Sequence, residues 1–271
     1  MPGRAPDLGR RTLSAAVFVP VVLGLTWVGG WALLALVAAV VARGSWEFHR
    51  LVAAAGHRPD TRLGVALSLG VVAWVAWQGA GALAPLLVLV LVAVLAAGLR
   101  HGVAGYGASA LLTVGGVLYV GFLGSAPLLI GPLLPEGNVL LDLVFLSIWL
   151  TDSAAYLCGS RWGVRRLVPG ISPGKTVVGF AAGCLAGLVP ALLHGWVPSL
   201  GLGQLLGLLA VVSCGGQVGD IVESALKRWA GLKDAPALIP GHGGILDRFD
   251  SYLFAFPLAY LYLSAPGLIQ M

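Results

Sequence analysis

The sequence predicts an all-α fold, a polytopic integral membrane helical bundle of about nine transmembrane helices with the N-terminus inside and the C-terminus outside. Three observations carry this. Of 271 residues, 58% are hydrophobic and 10% charged, with a mean hydropathy of +0.94, whereas soluble domains average about 25% charged residues. The apolar residues come in continuous runs near the ~20 residues that span a bilayer's hydrocarbon core. The basic residues between those runs fall on one side. So few polar groups cannot cover a water-facing surface. A soluble enzyme, a disordered tail, a collagen and a disulfide scaffold are therefore excluded.

The runs lie at 12–28, 30–52, 62–78, 82–99, 109–133, 139–159, 176–197, 203–226 and 250–269. They do not alternate, which argues against membrane strands. Breaks fall at Gly29-Gly30, Pro59-Asp60, Gly79 to Gly81, Pro135 to Asn138 and Pro198-Ser199, where Gly, Pro or charge interrupts a helix. The turn at Gly29-Gly30 is very short. Arg10-Arg11 before the first run resembles a secretory signal, but the run leads straight into a second span and reads as a retained helix.

With the N-terminus inside, the inner segments carry Arg4, Arg10 and Arg11, then Arg50, Arg58 and Arg62, then Arg100. Arg161, Arg165, Arg166 and Lys175 follow, and finally Lys227, Arg228, Lys233 and Arg248. The outer loops carry no Lys or Arg, and only Arg43, within a span, falls outside this scheme. The net charge of +5 and pI near 9.4 are this inside bias, not a nucleic-acid footprint. Cys158, Cys184 and Cys214 read as small buried hydrophobes. The abundance of Ala, Gly, Leu and Val, and of Arg over Lys, matches a GC-rich bacterial genome.

Charge is concentrated late. Six of eleven acidic residues and all three lysines follow position 150. An ionisable group at membrane depth costs about 2.5–3.5 kcal/mol, so such groups mark function. The chain divides accordingly into a scaffold of lipid-facing helices, 1–140, and a catalytic half, 141–271, with its site toward the cytoplasm. At 100° per residue, Asp220, Glu223, Ser224 and Lys227 share one helical face near the inner end of their span. The alternative is a set of i,i+4 ion pairs at a solvated helix end. Next, Pro236, Pro240, Gly241, Gly243 and Gly244 forbid a regular helix, and the glycines expose N–H groups suited to phosphate oxygens. Asp247 and Asp250 then open the last span on either side of Arg248; capping alone would need one acid. His242 is read either as a substrate contact or as a loop histidine.

Carboxylates on two neighbouring helix ends, beside Lys and Arg, form a divalent-cation and polyphosphate pattern. Oxygen ligands suit Mg²⁺ shared with phosphates, and no Cys/His cluster has zinc spacing. Asp152 and the turn Ser172-Pro173-Gly174-Lys175-Thr176 supply a third element. The Gly-Lys-Thr ending is not a P-loop, because the first glycine's place holds Pro169 and no strand is predicted before it. A basic turn contacting phosphate, or plain positive-inside charge, remains.

The run Ser224, Lys227-Arg228, Lys233-Asp234, Pro240, His242-Gly243-Gly244, Asp247-Arg248, Asp250 resembles the signature of the phosphatidate cytidylyltransferases (CDP-diacylglycerol synthases). Gly219-Asp220 with Glu223-Ser224, the 152–156 stretch and, more weakly, Arg11-x-Leu13-Ser14-Ala15 and Glu47 are similar too. Two departures stand out. Pro236 replaces a usual small residue, and the turn Ser-Pro-Lys-Lys-Thr-x-Glu-Gly reads with Gly174 and Val178 in place of one Lys and the Glu.

The resemblance implies that CTP and phosphatidate give CDP-diacylglycerol and pyrophosphate in phospholipid biosynthesis, at the bacterial cytoplasmic membrane. It implies catalytic roles for Asp220, Asp247, Asp250 and Lys227, and Mg²⁺ on Asp220, Asp247 and Asp250 or Glu223, a second cation being allowed. Substrate contacts would come from Asp152, Ser172, Lys175, Ser224, Arg228, Lys233, His242, Gly243, Gly244 and Arg248. The partners are CTP, phosphatidate and membrane lipids, with no nucleic acid and a homodimer allowed. Two other readings stand beside this one. A CTP-dependent polyprenol kinase of the same broad superfamily would move the γ-phosphate. A cation-coupled transporter would use Asp152, Asp220 and the Arg43/Glu47 pair, itself otherwise an intrahelical ion pair. Charges gathered at one face, and no evident internal repeat, disfavour transport.

Overall fold

The computed structural model describes residues 19–233 and 244–266, and these are overwhelmingly helical. Helix α1 (Val19–Val28) and helix α2 (Gly30–Ala54) are divided as expected at Gly29 and Gly30. Both glycines have positive φ, 65° and 48°, a conformation that side-chain-bearing residues rarely adopt. Helix α3 (Thr61–Gln78) and helix α4 (Leu83–Gly98) follow. The chain turns at Gly102 (φ 65°) into helix α5 (Gly102–Gly116), and α4 and α5 share one apolar cluster around Val90, Val94 and Ala110. A wider helical turn, Val117–Phe122, and short helical pieces carry the chain to Leu133.

Helix α6 (Gly137–Trp162) leads into a β-hairpin of β1 (Arg166–Val168) and β2 (Ser172–Thr176), paired antiparallel. Helix α7 (Val177–Ala186) and a tighter helical stretch, Val189–Trp196, return across the bundle. Helix α8 (Leu202–Trp229) is the longest single helix described, the short turn α9 (Leu246–Phe249) follows, and α10 (Tyr252–Leu263) closes the described chain.

Six stretches among the described residues are long and apolar enough to cross a membrane: Gly30–Ala54, Thr61–Gly81, Leu83–Leu133, Gly137–Trp162, Val177–Trp196 and Leu202–Trp229. The expected count of nine differs for three reasons. Leu83–Leu133 is nearly continuous helix, Val19–Val28 is short, and α10 spans only 12 residues. The protein is a helical membrane protein. Its outward helix faces are apolar, as lipid requires, with Leu111, Leu185 and Leu192 more than two-thirds exposed. Cys158 and Cys184 are only half-buried and Cys214 is exposed, because their helix faces point outward; Cys184 Sγ and Cys214 Sγ lie 3.0 Å apart.

The helices around the site pack through glycines. A β-carbon on Gly219 of α8 would lie 2.6 Å from the Asp250 carbonyl, and one on Gly179 of α7 would lie 2.6 Å from the Ala155 carbonyl. Such close backbone approach is how membrane helices associate without a hydrophobic driving force between them. It sets the C-terminal half of α8 directly against the start of α10.

Candidate active site

The hairpin, absent from the all-α expectation, decides where Lys175 points. Successive strand side chains face opposite sides. Thr176 is buried, and its Oγ1 caps α7 by accepting the Gly179 N–H at 3.1 Å. Lys175 therefore turns the other way, and its Nζ lies 2.6 Å from Asp220 Oδ2 on α8.

One turn further along α8, Glu223 is fully buried and pairs with Lys227 at i+4. Lys227 Nζ also reaches Asp247 Oδ1 at 2.6 Å. Asp247 Oδ2 accepts the Gly244 N–H at 3.0 Å. Burial pushes the Asp247 carboxyl up, but the Lys227 ammonium and the Gly244 N–H outweigh it and hold the group below the ordinary carboxylate range. Asp250 is 8% exposed and its Oδ1 accepts the Ser251 N–H at 2.6 Å.

These groups line one cleft of about 1340 Å³. Its walls carry Asp152, Ser172, Lys175, Asp220, Lys227, Gly244, Asp247, Arg248 and Asp250, together with Arg43 and Glu47 from α2. Lys175 pairs with Asp220, and Lys227 with Asp247 and Glu223, which offsets part of the repulsion among the carboxylates gathered there.

The pattern that describes the Cytidylyltransferase family matches residues 9–265. The chain belongs to the Cytidylyltransferase family. Curated relatives called phosphatidate cytidylyltransferase include that of Staphylococcus aureus (strain COL). It is 45% identical over 130 residues, covering 47% of this chain and 50% of the relative. That of Bacillus subtilis (strain 168) is 50% identical over 119 residues, covering 43% and 44%. The chain thus spans about half the length of the curated relatives it matches.

Within this cytidylyltransferase family member, the remaining candidates sit around the cleft rather than in its wall. Glu223 lies beneath it, behind Lys227. Ser224 Oγ donates to Asp220 Oδ1 at 3.4 Å, a long contact that steadies the carboxylate. Arg228 is exposed and donates to the Ile171 carbonyl at 3.2 Å and the Leu232 carbonyl at 3.3 Å, tying the hairpin turn to the end of α8. Lys233 is exposed at the edge of the described chain. His242 and Gly243 lie outside the described residues, as do Asp234, Pro236, Pro240 and the arginines Arg4, Arg10 and Arg11.

Gly174 and Val178, the two departures in the turn, are exposed, and a β-carbon on Gly174 would meet nothing within 4 Å. Ser153 and Tyr156, from the 152–156 stretch, also line the cleft; the residues that sequence reasoning missed are Arg166 and Gln217. Arg166 was visible only as loop charge. Gln217, one turn before Asp220, donates to the Phe180 carbonyl at 3.1 Å and was hidden in an apolar run.

The donor set is all oxygen, which fits Mg²⁺. Among the described residues no group of three or more His, Cys, Asp or Glu side chains gathers closely enough to cage a metal. That suits an ion which takes one or two protein carboxylates and leaves its other positions to water and phosphate.

Proposed function

We propose that this protein is a phosphatidate cytidylyltransferase, converting CTP and phosphatidate to CDP-diacylglycerol and pyrophosphate in phospholipid synthesis. The observation that carries the reading is the convergence of Lys175, Asp220, Lys227 and Asp247 from three separate elements into one cleft. The names of the relatives and the family membership support it.

A phosphate oxygen of phosphatidate attacks the α-phosphorus of CTP, a new P–O bond forms, and pyrophosphate leaves in line. Both reactants are anionic, so catalysis is mostly positioning and charge compensation, with no side-chain nucleophile. Lys175, Lys227 and Arg248 hold phosphate oxygens, with Arg228 and Lys233 at the rim. Gly243, Gly244, Ser172, His242 and Asp152 orient substrate. Ser224 keeps Asp220 aimed. Asp220 and Asp247, with Asp250 or Glu223 assisting, would hold Mg²⁺, a second cation being allowed, and the metal's positive charge would offset the negative charge developing on the phosphates.

The lysines now sitting on the carboxylates would be exchanged onto substrate phosphates as the nucleotide enters. The C-terminal half, 141–271, carries the reacting groups, and the scaffold, 1–140, reaches them through α2. The proposed topology is nine spans, N-terminus in and C-terminus out, in the bacterial inner membrane, with the cleft toward cytoplasmic CTP and the lipid entering between helices. Tryptophans support two interfaces: Trp27, Trp31 and Trp196 near one set of helix ends, Trp162 and Trp229 at the other. A homodimer is compatible with this arrangement.

The deciding experiment supplies purified protein in detergent with phosphatidate, Mg²⁺ and CTP labelled at the α- or γ-phosphate. α-Label in a CMP-bearing lipid with γ-label in pyrophosphate is expected. γ-Label in lipid would instead make the protein a kinase.

A further inference from the structure

Glu47 is a carboxylate buried in the second apolar run, 1% exposed and 199 positions away in sequence from the group it touches. Its two oxygens do different things. Oε1 takes Arg43 Nε at 2.8 Å, and Oε2 accepts the Leu246 N–H at 2.7 Å. Leu246 is 1% exposed and opens the turn that presents Asp247. An N–H in a first helical turn has no carbonyl of its own helix to bond, and a buried one left unpaired is costly. Glu47 supplies that acceptor from another helix. An apolar span does not keep an ion at this depth without a use for it.

We infer that Glu47 is a positioning residue of the active site. Held by Arg43, it fixes the Leu246 backbone and with it the stance of Asp247 and Asp250 toward Lys227 and Asp220. The inference rests on the cytidylyl-transfer reading above. Asp247 follows Leu246 directly, and its Oδ1 lies 2.6 Å from Lys227 Nζ. A shift of the turn therefore moves the reacting geometry without touching the nucleotide. The role needs an oxygen at the right reach, not a negative charge.

The test compares the full-length wild type with E47A, E47Q and E47D in detergent, by steady-state kinetics with CTP and phosphatidate and by amide exchange across 245–250. Since misplacement by about 1 Å costs about 100-fold, E47A is expected to lose roughly 10- to 100-fold in kcat, with KM for CTP changed less than about 2-fold. E47Q keeps one acceptor at the same reach for the Leu246 N–H while turning its NH2 toward Arg43, and is expected to fall between E47A and wild type, whereas E47D, charged but shorter, falls below E47Q. The Leu246 amide should exchange faster in E47A and as in wild type in E47Q.

Wild-type turnover in E47A, a loss in E47Q as deep as in E47A, or a loss carried by KM would each overturn the inference. Should E47A not fold, the order of E47Q and E47D decides, and E47D above E47Q overturns it. If the wild type transfers no cytidylyl group, the functional reading falls. Amide exchange then decides alone whether Glu47 holds the turn, and unchanged exchange in E47A overturns it.

Discussion

Lys175 and Asp220 meet Nζ to Oδ2 at 2.6 Å, one from the β1–β2 hairpin and the other from the C-terminal half of the long helix α8. The pair closes one side of the cleft. It is partly solvated, with side chains 21% and 33% exposed, so its value lies in alignment more than in stability. Lys175→Ala is expected to raise KM for CTP and lower kcat/KM by about 10- to 100-fold, with little change in thermal unfolding. In a double-mutant cycle with Asp220→Asn the losses should be non-additive by about 0.5–3 kcal/mol. Simple additivity in kcat/KM would show that the two residues act separately.

Lys227 binds two carboxylates, one of them fully buried. Removing one partner of a buried ionic cluster leaves an uncompensated charge, at a cost of about 3–5 kcal/mol. Lys227→Met should therefore lower stability as well as activity, measured by thermal unfolding in detergent. Glu223→Gln in the same chain should restore part of the stability and none of the turnover. A Lys227→Met protein as stable as wild type would contradict the arrangement.

Asp247 gives a pH prediction. Burial raises its carboxyl, but Lys227 and the Gly244 N–H bring it below the ordinary value. A depressed folded value means that ionisation stabilises the fold above the unfolded-state value of about 4. That contribution is lost as pH falls through the lower folded value. The stability gap between wild type and Asp247→Asn should thus narrow on acidification, while at neutral pH the variant inserts normally and loses nearly all turnover. A gap that stays constant down to pH 3, or a fully active variant, would refute the assignment.

Gly219 separates α8 from the Asp250 carbonyl by less than a side chain needs. Gly219→Val should push the two helices apart and cost about 1–3 kcal/mol by overpacking. Turnover should fall further than stability, because Asp220 and Asp250 ride on the two displaced backbones. Wild-type thermal unfolding in Gly219→Val would show that the helices are less tightly apposed.

How much of this was legible beforehand differs by residue. The stripe Asp220, Glu223, Ser224 and Lys227 was readable because helical periodicity alone places these side chains on one face. Asp247 and Asp250 were readable as paired acids in a chain otherwise short of them. The partition within the stripe was not: Glu223 lies buried under Lys227 while Asp220 faces the cleft. The hairpin was missed because Pro169 and Gly170 lie between two very short strands, too few residues to show a period. Between Leu83 and Leu133 the sequence expects two spans, 82–99 and 109–133, and there the helical path is nearly continuous although the chain turns at Gly102.

By itself the sequence determined that this chain lives in a membrane, because its composition leaves no way to cover itself with polar groups. It also determined which residues carry the charge. Only the tertiary structure decided which charge meets which. Ion pairing depends on distances of a few ångströms between segments far apart in the chain, and those distances are set by glycine-mediated helix packing and by a buried Glu47 reaching Leu246.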